Sequence, residues 1–224
     1  YPYLTADIAR EVGKNTNFVA KALGDLGLKG KTEYHQPIRI SAKSLVQRYS
    51  PAALTLLKNH INNNSKEETE KIWNILESIS DPEIPVLTIV DLGIVRSVSK
   101  EGGNVEVFVT PTYSGCPATD VINMSIRMAL LESGYKHIKI INQLSPAWTT
   151  DWMTENGKKK LKEYGIAPPQ GKIKSEEHLE HISVECPHCH SINTKLISAF
   201  GSTACKALYQ CEDCKEPFDY FKCH

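Results

Sequence analysis

Asp81-Pro82-Glu83-Ile84-Pro85-Val86, Asp91-Leu92-Gly93 and Pro111-Thr112-Tyr113-Ser114-Gly115-Cys116-Pro117 punctuate a single block of the chain, 81–120. Between the second and third of these lie two runs with strand character, Ile94 to Ser99 and Val105 to Thr110. The turn Glu101-Gly102-Gly103-Asn104 joins them as a hairpin. Alternation puts Val105, Val107 and Val109 on one face. Pro111 to Gly115 reads as a loop. Cys116 then precedes Pro117, a residue favoured at the first position of a helix. The helix that follows carries Val121, Ile122, Met124, Ile126, Met128, Ala129, Leu130 and Leu131 and stops at Gly134.

The flanks complete the domain. Ser65 is expected to cap a helix to about Ser80, with Ile72, Trp73, Ile75, Leu76 and Ile79 apolar, and Asp81-Pro82 stops it. His137 to Leu144 is a third strand. Thr149 or Thr150 is expected to cap a last helix through Tyr164, ended by Gly165 and Pro168-Pro169. The order αββαβα over 66–170 predicts an α+β domain with helices on one side of a small sheet.

A thiol at a helix N-terminus meets the positive end of the macrodipole and unpaired backbone donors. Both favour the thiolate that binds metal or attacks an electrophile. Cys116 is therefore the residue to test first, with Asp81 and Asp91 as hard oxygen ligands or proton acceptors nearby. The plainer alternatives are a buried apolar cysteine, a helix-stop aspartate and a turn aspartate beside Gly93.

Downstream, Gln170 to Glu180 is polar and reads as a linker (171–182 in the domain division). Cys186-Pro187-His188-Cys189 and Cys211-Glu212-Asp213-Cys214 follow, two knuckles separated by 21 residues within 183–224. Four thiolates so spaced predict one structural zinc in a ribbon, with no open coordination position for chemistry. Cys205 and Cys223 are left over, as ribbon packing or as a second metal or sulfur-transfer pair.

Residues 1–61 form a separate basic module. Residues 1–65 hold nine Lys and Arg against four Asp and Glu, although the whole chain balances at 26 of each. Thr5 and Asn15 are candidate N-caps of two helices that carry Ile8, Val12, Phe18, Val19, Ala22, Leu23 and Leu26, with a turn at Gly13. That is a helix-turn-helix pattern, and it is similar, weakly, to modules of phage antirepressor-type proteins. Lys29 to Tyr34 and Pro37 to Ile40 would make a wing, and Ser41 and Ser50-Pro51 would start two more helices, the second ending near Ile61. Asn15, Thr16, Asn17 and Lys21 would face DNA. A protein-contact domain or an engineered fusion partner is the alternative. Asn62-Asn63-Asn64-Ser65 reads as a linker.

No run of about 18 apolar residues spans a membrane, and no signal peptide is visible in a chain that opens at Tyr1 rather than Met. Seven cysteines, four of them in Cys-x-x-Cys pairs, indicate a reduced, cytoplasmic setting with metal.

Asp81-Pro82-Glu83-Ile84-Pro85, Asp91-Leu92-Gly93-Ile94-Val95 and Thr110 through Pro117 resemble the iron–sulfur-assembly domains that include SufT-type factors. Ser145-Pro146-Ala147-Trp148-Thr149-Thr150-Asp151-Trp152, Tyr164-Gly165-Ile166-Ala167-Pro168-Pro169, Phe200 to Tyr209 and Phe218 to Cys223 narrow the resemblance to the PaaD family, which belongs to bacterial phenylacetyl-CoA epoxidase systems. It spans 66–224 and omits 1–65. The resemblance implies a non-catalytic accessory protein of the ring-epoxidising oxygenase. It would help insert iron or an iron–sulfur cluster, held transiently at Cys116 with Asp81 and Asp91 shaping the site. Partners would be epoxidase or reductase subunits and other assembly factors. Two other classes compete: a DNA-binding regulator built on 1–65, and a thiol enzyme using Cys116. The thiol enzyme lacks a histidine base in the central motif; His137 is the lone histidine of that domain.

Overall fold

The computed structural model describes residues 2–41, 44–170, 179 and 181–222. It divides into two compact units, Tyr1–Glu68 and Thr69–His224. Among the described residues no helix is long and apolar enough to cross a membrane.

In the first unit β1 (Tyr3–Leu4) leads into α1 (Thr5–Glu11) and α2 (Thr16–Asp25). Gly13, at φ 64°, makes the turn between the helices. Asn15 caps α2 through its side chain, which accepts from Phe18 N at 2.8 Å. At α1, Leu4 holds the cap position in place of Thr5, and the Asp7 carboxylate accepts from Leu4 N. Ile8, Ala9, Val19, Ala22 and Leu23 are buried together, whereas Phe18 is exposed. A hairpin lies further along than expected, as β2 (His35–Ser41) and β3 (Ser44–Tyr49). No helix starts at Ser41. The segment after it pairs on both sides, giving a sheet in the order β1-β3-β2. Propensity yields here to strand pairing.

The largest departure from the sequence reading is α3 (Pro51–Glu77), one helix where a helix, a linker and a second helix were expected. Asn62 to Ser65 are helical. No Gly or Pro interrupts 52–81, and Asn and Ser cost only about 0.5–0.7 kcal/mol each relative to Ala, too little to break a helix flanked by apolar turns. Leu57 is buried in the first unit's core, and Ile72 and Leu76 in the second's.

The second unit follows the expected order. β4 (Val95–Glu101) and β5 (Asn104–Val109) form the hairpin, and β6 (His137–Asn142) adds parallel to β5. Val105, Val107 and Val109 are all buried. Between β5 and β6, α4 (Ala118–Glu132) packs Ala118, Ile122, Ile126 and Leu130 onto the sheet. The expected single helix after Thr149 is two pieces. Thr150–Trp152 is a 3-10 turn, and α5 (Glu155–Glu163) is capped by Thr154, whose hydroxyl accepts from Gly157 N at 2.9 Å.

This last segment docks onto Asp91-Leu92-Gly93. The Trp148 indole N–H donates to Leu92 O at 2.9 Å, and Thr154 N donates to Asp91 O at 2.9 Å. Arg96 lies over the Trp152 ring, 3.4 Å from its centroid, and donates to Gly93 O. Gly93, at φ +66°, leaves so little room that a Cβ there would stand 2.2 Å from Trp152 O.

The ribbon is not a separate body on a tether. β7 (Ile166–Ala167) pairs parallel with β10 (Pro217–Phe221), in a sheet of order β7-β10-β9-β8 with β8 (Thr194–Ser198) and β9 (Lys206–Cys211). Phe221 and Cys205 enter the central core, with Phe221 edge-on to Trp148 at 6.0 Å. Of the expected linker, 171–178 and Glu180 lie outside the described residues, and Leu179 is buried in the ribbon core.

Gly93→Ala is expected to destabilise the chain by at least about 3 kcal/mol. Gly115→Ala, also at positive φ (+80°) but with nothing within 4 Å of its Cβ, should lose only about 1 kcal/mol. Denaturant unfolding of the two variants checks this, and equal losses would show that the close approach at Trp152 does not matter.

Candidate functional site

The loop 110–117 turns at Gly115 and delivers Cys116 to the start of α4. Pro117 is the helix cap, so Cys116 stands one residue outside it. Its carbonyl accepts from Thr119 N at 3.1 Å and its own N–H donates to Tyr113 O at 3.3 Å. The thiol is half-buried and opens onto a cleft whose walls come from the assembly-type domain and the ribbon. Asp81, Glu83, Cys116 and Asn123 line one side, Cys205 and Phe221 the other.

Cys205 is buried. Its Sγ lies 3.0 Å from Thr203 Oγ1 and donates to Glu83 Oε2 at 3.5 Å. Burial, reinforced by the Glu83 charge, pushes the Cys205 thiol up to about 12, so the protonated form is the one that makes this bond at neutral pH. The Tyr113 hydroxyl bonds the Cys116 thiol. Burial, that bond, and the nearby Glu83 and Cys205 raise the phenol well above its ordinary value. These side chains thus face a common space. Asn123 lines the same cleft, and its Oδ1 is buried without a hydrogen-bond partner.

The two aspartates part company. Asp81 lines the cleft, but its Oδ1 is engaged by Glu83 N at 2.9 Å and Ile84 N at 2.8 Å, closing the turn after α3. Burial raises its carboxyl above the ordinary value despite those two donors. Asp91 does not line the cleft. Its carboxylate is buried and takes bonds from Lys160 Nζ at 2.6 Å, Thr154 Oγ1 at 2.9 Å, Asn156 Nδ2 at 3.3 Å and Thr88 N at 3.3 Å. A carboxylate so occupied fastens α5 to the loop and offers no oxygen to a metal. The sequence offered both aspartates as ligands without showing that they converge; what it missed was Glu83, two residues from Asp81, whose side chain reaches the Cys205 thiol.

At the ribbon, Cys186, Cys189, Cys211 and Cys214 hold their sulfurs all within 4.8 Å of one another. Cys186 and Cys214 are 3.7 Å apart, Cys189 and Cys211 3.5 Å. A tetrahedral metal with bonds of about 2.3 Å separates sulfurs by about 3.8 Å, so the four fit one ion. Each knuckle is followed by a left-handed residue, His190 (φ 64°) and Lys215 (φ 66°), which turns the chain back beneath the sulfurs. Backbone donors from Cys214 and Asp213 lower the Cys211 thiol to about 7, against its burial, and so favour the ligating thiolate. His190 pairs with Glu185 at 2.7 Å. Cys223 lies outside the described residues.

Of the residues singled out for DNA, Asn15 spends its side chain on the α2 cap, and Thr16, Asn17 and Lys21 are exposed along α2. α4 also carries a second apolar face that is largely exposed among the described residues: Val121, Met124, Met128 and Leu131 stand out at helical spacing, beginning five residues from Cys116.

Comparison with known proteins agrees with this geometry. Residues 69–135 match the family described as iron-sulfur cluster assembly protein, and 170–222 match the PaaD zinc beta ribbon domain. A protein of Escherichia coli (strain K12) named as a component of 1,2-phenylacetyl-CoA epoxidase is 54% identical over 156 residues, 70% of this chain and 93% of that protein. An Fe-S protein maturation auxiliary factor of Porphyromonas gingivalis is 37% identical over 97 residues, 42% of this chain and 91% of the relative. The factor YitW of Bacillus subtilis is 34% identical over 91 residues, 40% and 88% respectively. Fold and site together define an iron–sulfur-assembly domain closed by a metal-binding ribbon. The chain belongs to the PaaD family.

The bonds to Asp91 hold its carboxyl below the ordinary value even though burial, the largest single influence, works the other way. Its folded-state value lies below that of the unfolded chain. The stability it supplies is therefore present above the unfolded value, about pH 4, and is lost as pH falls through the folded value. Asp91→Asn should lower stability by about 2 kcal/mol at pH 7, a Tm drop of about 4–8 °C. The gap between variant and parent should narrow on acidification below about pH 4. A gap independent of pH would show that the charge contributes nothing.

Proposed function

We propose that the chain is an accessory protein of the phenylacetyl-CoA ring-epoxidising oxygenase of aerobic phenylacetate degradation. It assists iron or iron–sulfur cluster assembly in a partner subunit. The observation that carries this is Cys116, presented at a helix start on a cleft, in a domain whose relatives are named for Fe-S protein maturation and for the epoxidase. Cys116 is the transient ligand of the iron or cluster, which is cargo and not a resident cofactor. The ribbon ion is zinc and structural: four thiolates suit it and leave no position open. Such thiol chemistry suits the reducing cytoplasm.

The apolar face of α4 beside Cys116 supports a protein client as the receiver. An exposed Met-rich stripe adapts to a partner surface, and its place next to the thiol would bring the client's own ligands within reach. The client is an epoxidase subunit or the reductase that carries a cluster. Among the described residues no histidine lines the cleft to serve as a base for Cys116, which favours a ligand over a nucleophile.

The test compares wild type with Cys116→Ser, purified without oxygen. About one zinc per chain is expected in both, with additional iron in wild type alone. The variant should fold normally and fail to support growth on phenylacetate; normal growth of a Cys116→Ser strain would refute the role of the thiol. A Met124→Glu, Met128→Glu double variant leaves the cleft intact and should slow the same growth, and unimpaired growth removes α4 as the client surface.

A further inference from the structure

The ribbon is bound so closely to the assembly domain that it contributes to the cleft itself. Cys205 lies between the two knuckles in sequence, just before β9, yet it packs with the central core and not with the zinc quartet. It is fixed there from three directions. Its carbonyl accepts from Lys222 N at 3.0 Å, its thiol contacts Thr203 Oγ1 at 3.0 Å, and that thiol reaches Glu83 Oε2 at 3.5 Å. Glu83 comes from the turn closed by Asp81, so a residue 122 positions earlier in the chain meets the ribbon thiol. Cys116 opens on the same cleft from the head of α4.

We propose that Cys116, Cys205 and Glu83 form a composite binding site for a thiophilic divalent cation, distinct from the ribbon quartet and assembled from both domains. The inference rests on the assembly role assigned to Cys116 and gives that residue its partners. Two sulfurs and a carboxylate oxygen suit ferrous iron and its spectroscopic substitute cobalt. They leave a coordination position for a ligand from the client. The orphaned Asn123 Oδ1 on the cleft wall offers a further oxygen to the ion or its bound water. Each thiol that binds releases its proton to solvent as the sulfur–metal bond forms, and no electron changes hands.

The ribbon quartet is the one group among the described residues whose donors all lie within 4.8 Å of one another. The cleft set is more open, and binding must draw Cys116 towards the other two. A site that has to close around its ion holds it less tightly than one already formed, as a carrier requires.

The experiment uses the full chain with zinc in the ribbon, titrated anaerobically with cobalt(II) alone. Wild type should take up one further cobalt with thiolate-to-metal charge-transfer absorption. Cys116→Ser and Cys205→Ser should each weaken that binding by at least about tenfold and diminish the band, and Glu83→Gln should weaken it by about tenfold. Zinc content and the thermal midpoint report folding; should Cys205→Ser fail to fold, Glu83→Gln carries the test. If Cys205→Ser and Glu83→Gln bind cobalt as wild type does while Cys116→Ser does not, the composite site is wrong and the assembly role of Cys116 stands. If wild type takes up no further cobalt, the site is overturned outright, while growth of the Cys116→Ser strain still decides the assembly role.

Discussion

The second unit depends on how one buried charge is satisfied. An ionised carboxylate out of water costs several kcal/mol unless donors surround it. Asp91 finds three of its four side-chain partners in a single later segment, at Thr154, Asn156 and Lys160. That segment must therefore fold back across the end of β4. Once there it has little choice of exit. α5 runs into Gly165, and the next two residues pair with β10. The ribbon sheet is thus hung on the assembly domain by way of Asp91, and Cys205 arrives opposite Cys116 as a result.

The family motifs divide accordingly into two kinds. Asp91-Leu92-Gly93 and Ser145 through Trp152 belong together as a latch: an indole N–H on a carbonyl, a guanidinium on an indole face, and a glycine that clears a backbone oxygen. They are chemically conspicuous, with two tryptophans and two aspartates, and yet their work is structural. Thr110 through Pro117 meets the cleft, opposite Cys205 and Phe221 from the two ribbon motifs. Asp81-Pro82-Glu83 serves both ends, since Asp81 closes the turn that aims Glu83.

Much of this was legible in the residues. The hairpin was announced by Val105-Glu106-Val107-Phe108-Val109 and its Gly-Gly turn, the helix start by Pro117, and the ribbon quartet by two knuckles at metal-ligand spacing. What stayed hidden depended on contacts distant in sequence. Polar Asn62 to Ser65 gave no sign of continuing a helix, because composition alone does not distinguish a polar turn of helix from a linker. Asp91 looked like a candidate ligand because nothing local reveals that Lys160 neutralises it. Cys205 looked like packing, and it is packed; that its thiol also reaches Glu83, 122 residues away, is a fact of topology and not of pattern.

The sharing of β10 between two tasks has one more consequence. This strand lies inside the ribbon sheet and also lends Phe221 to the central core, while the hairpin that precedes it carries Cys211 and Cys214. An ion held by the quartet would brace that hairpin, and through β10 it would also brace the far wall of the cleft, where Phe221 stands. Under the role proposed above, filling the ribbon would then have to come before loading of the cleft.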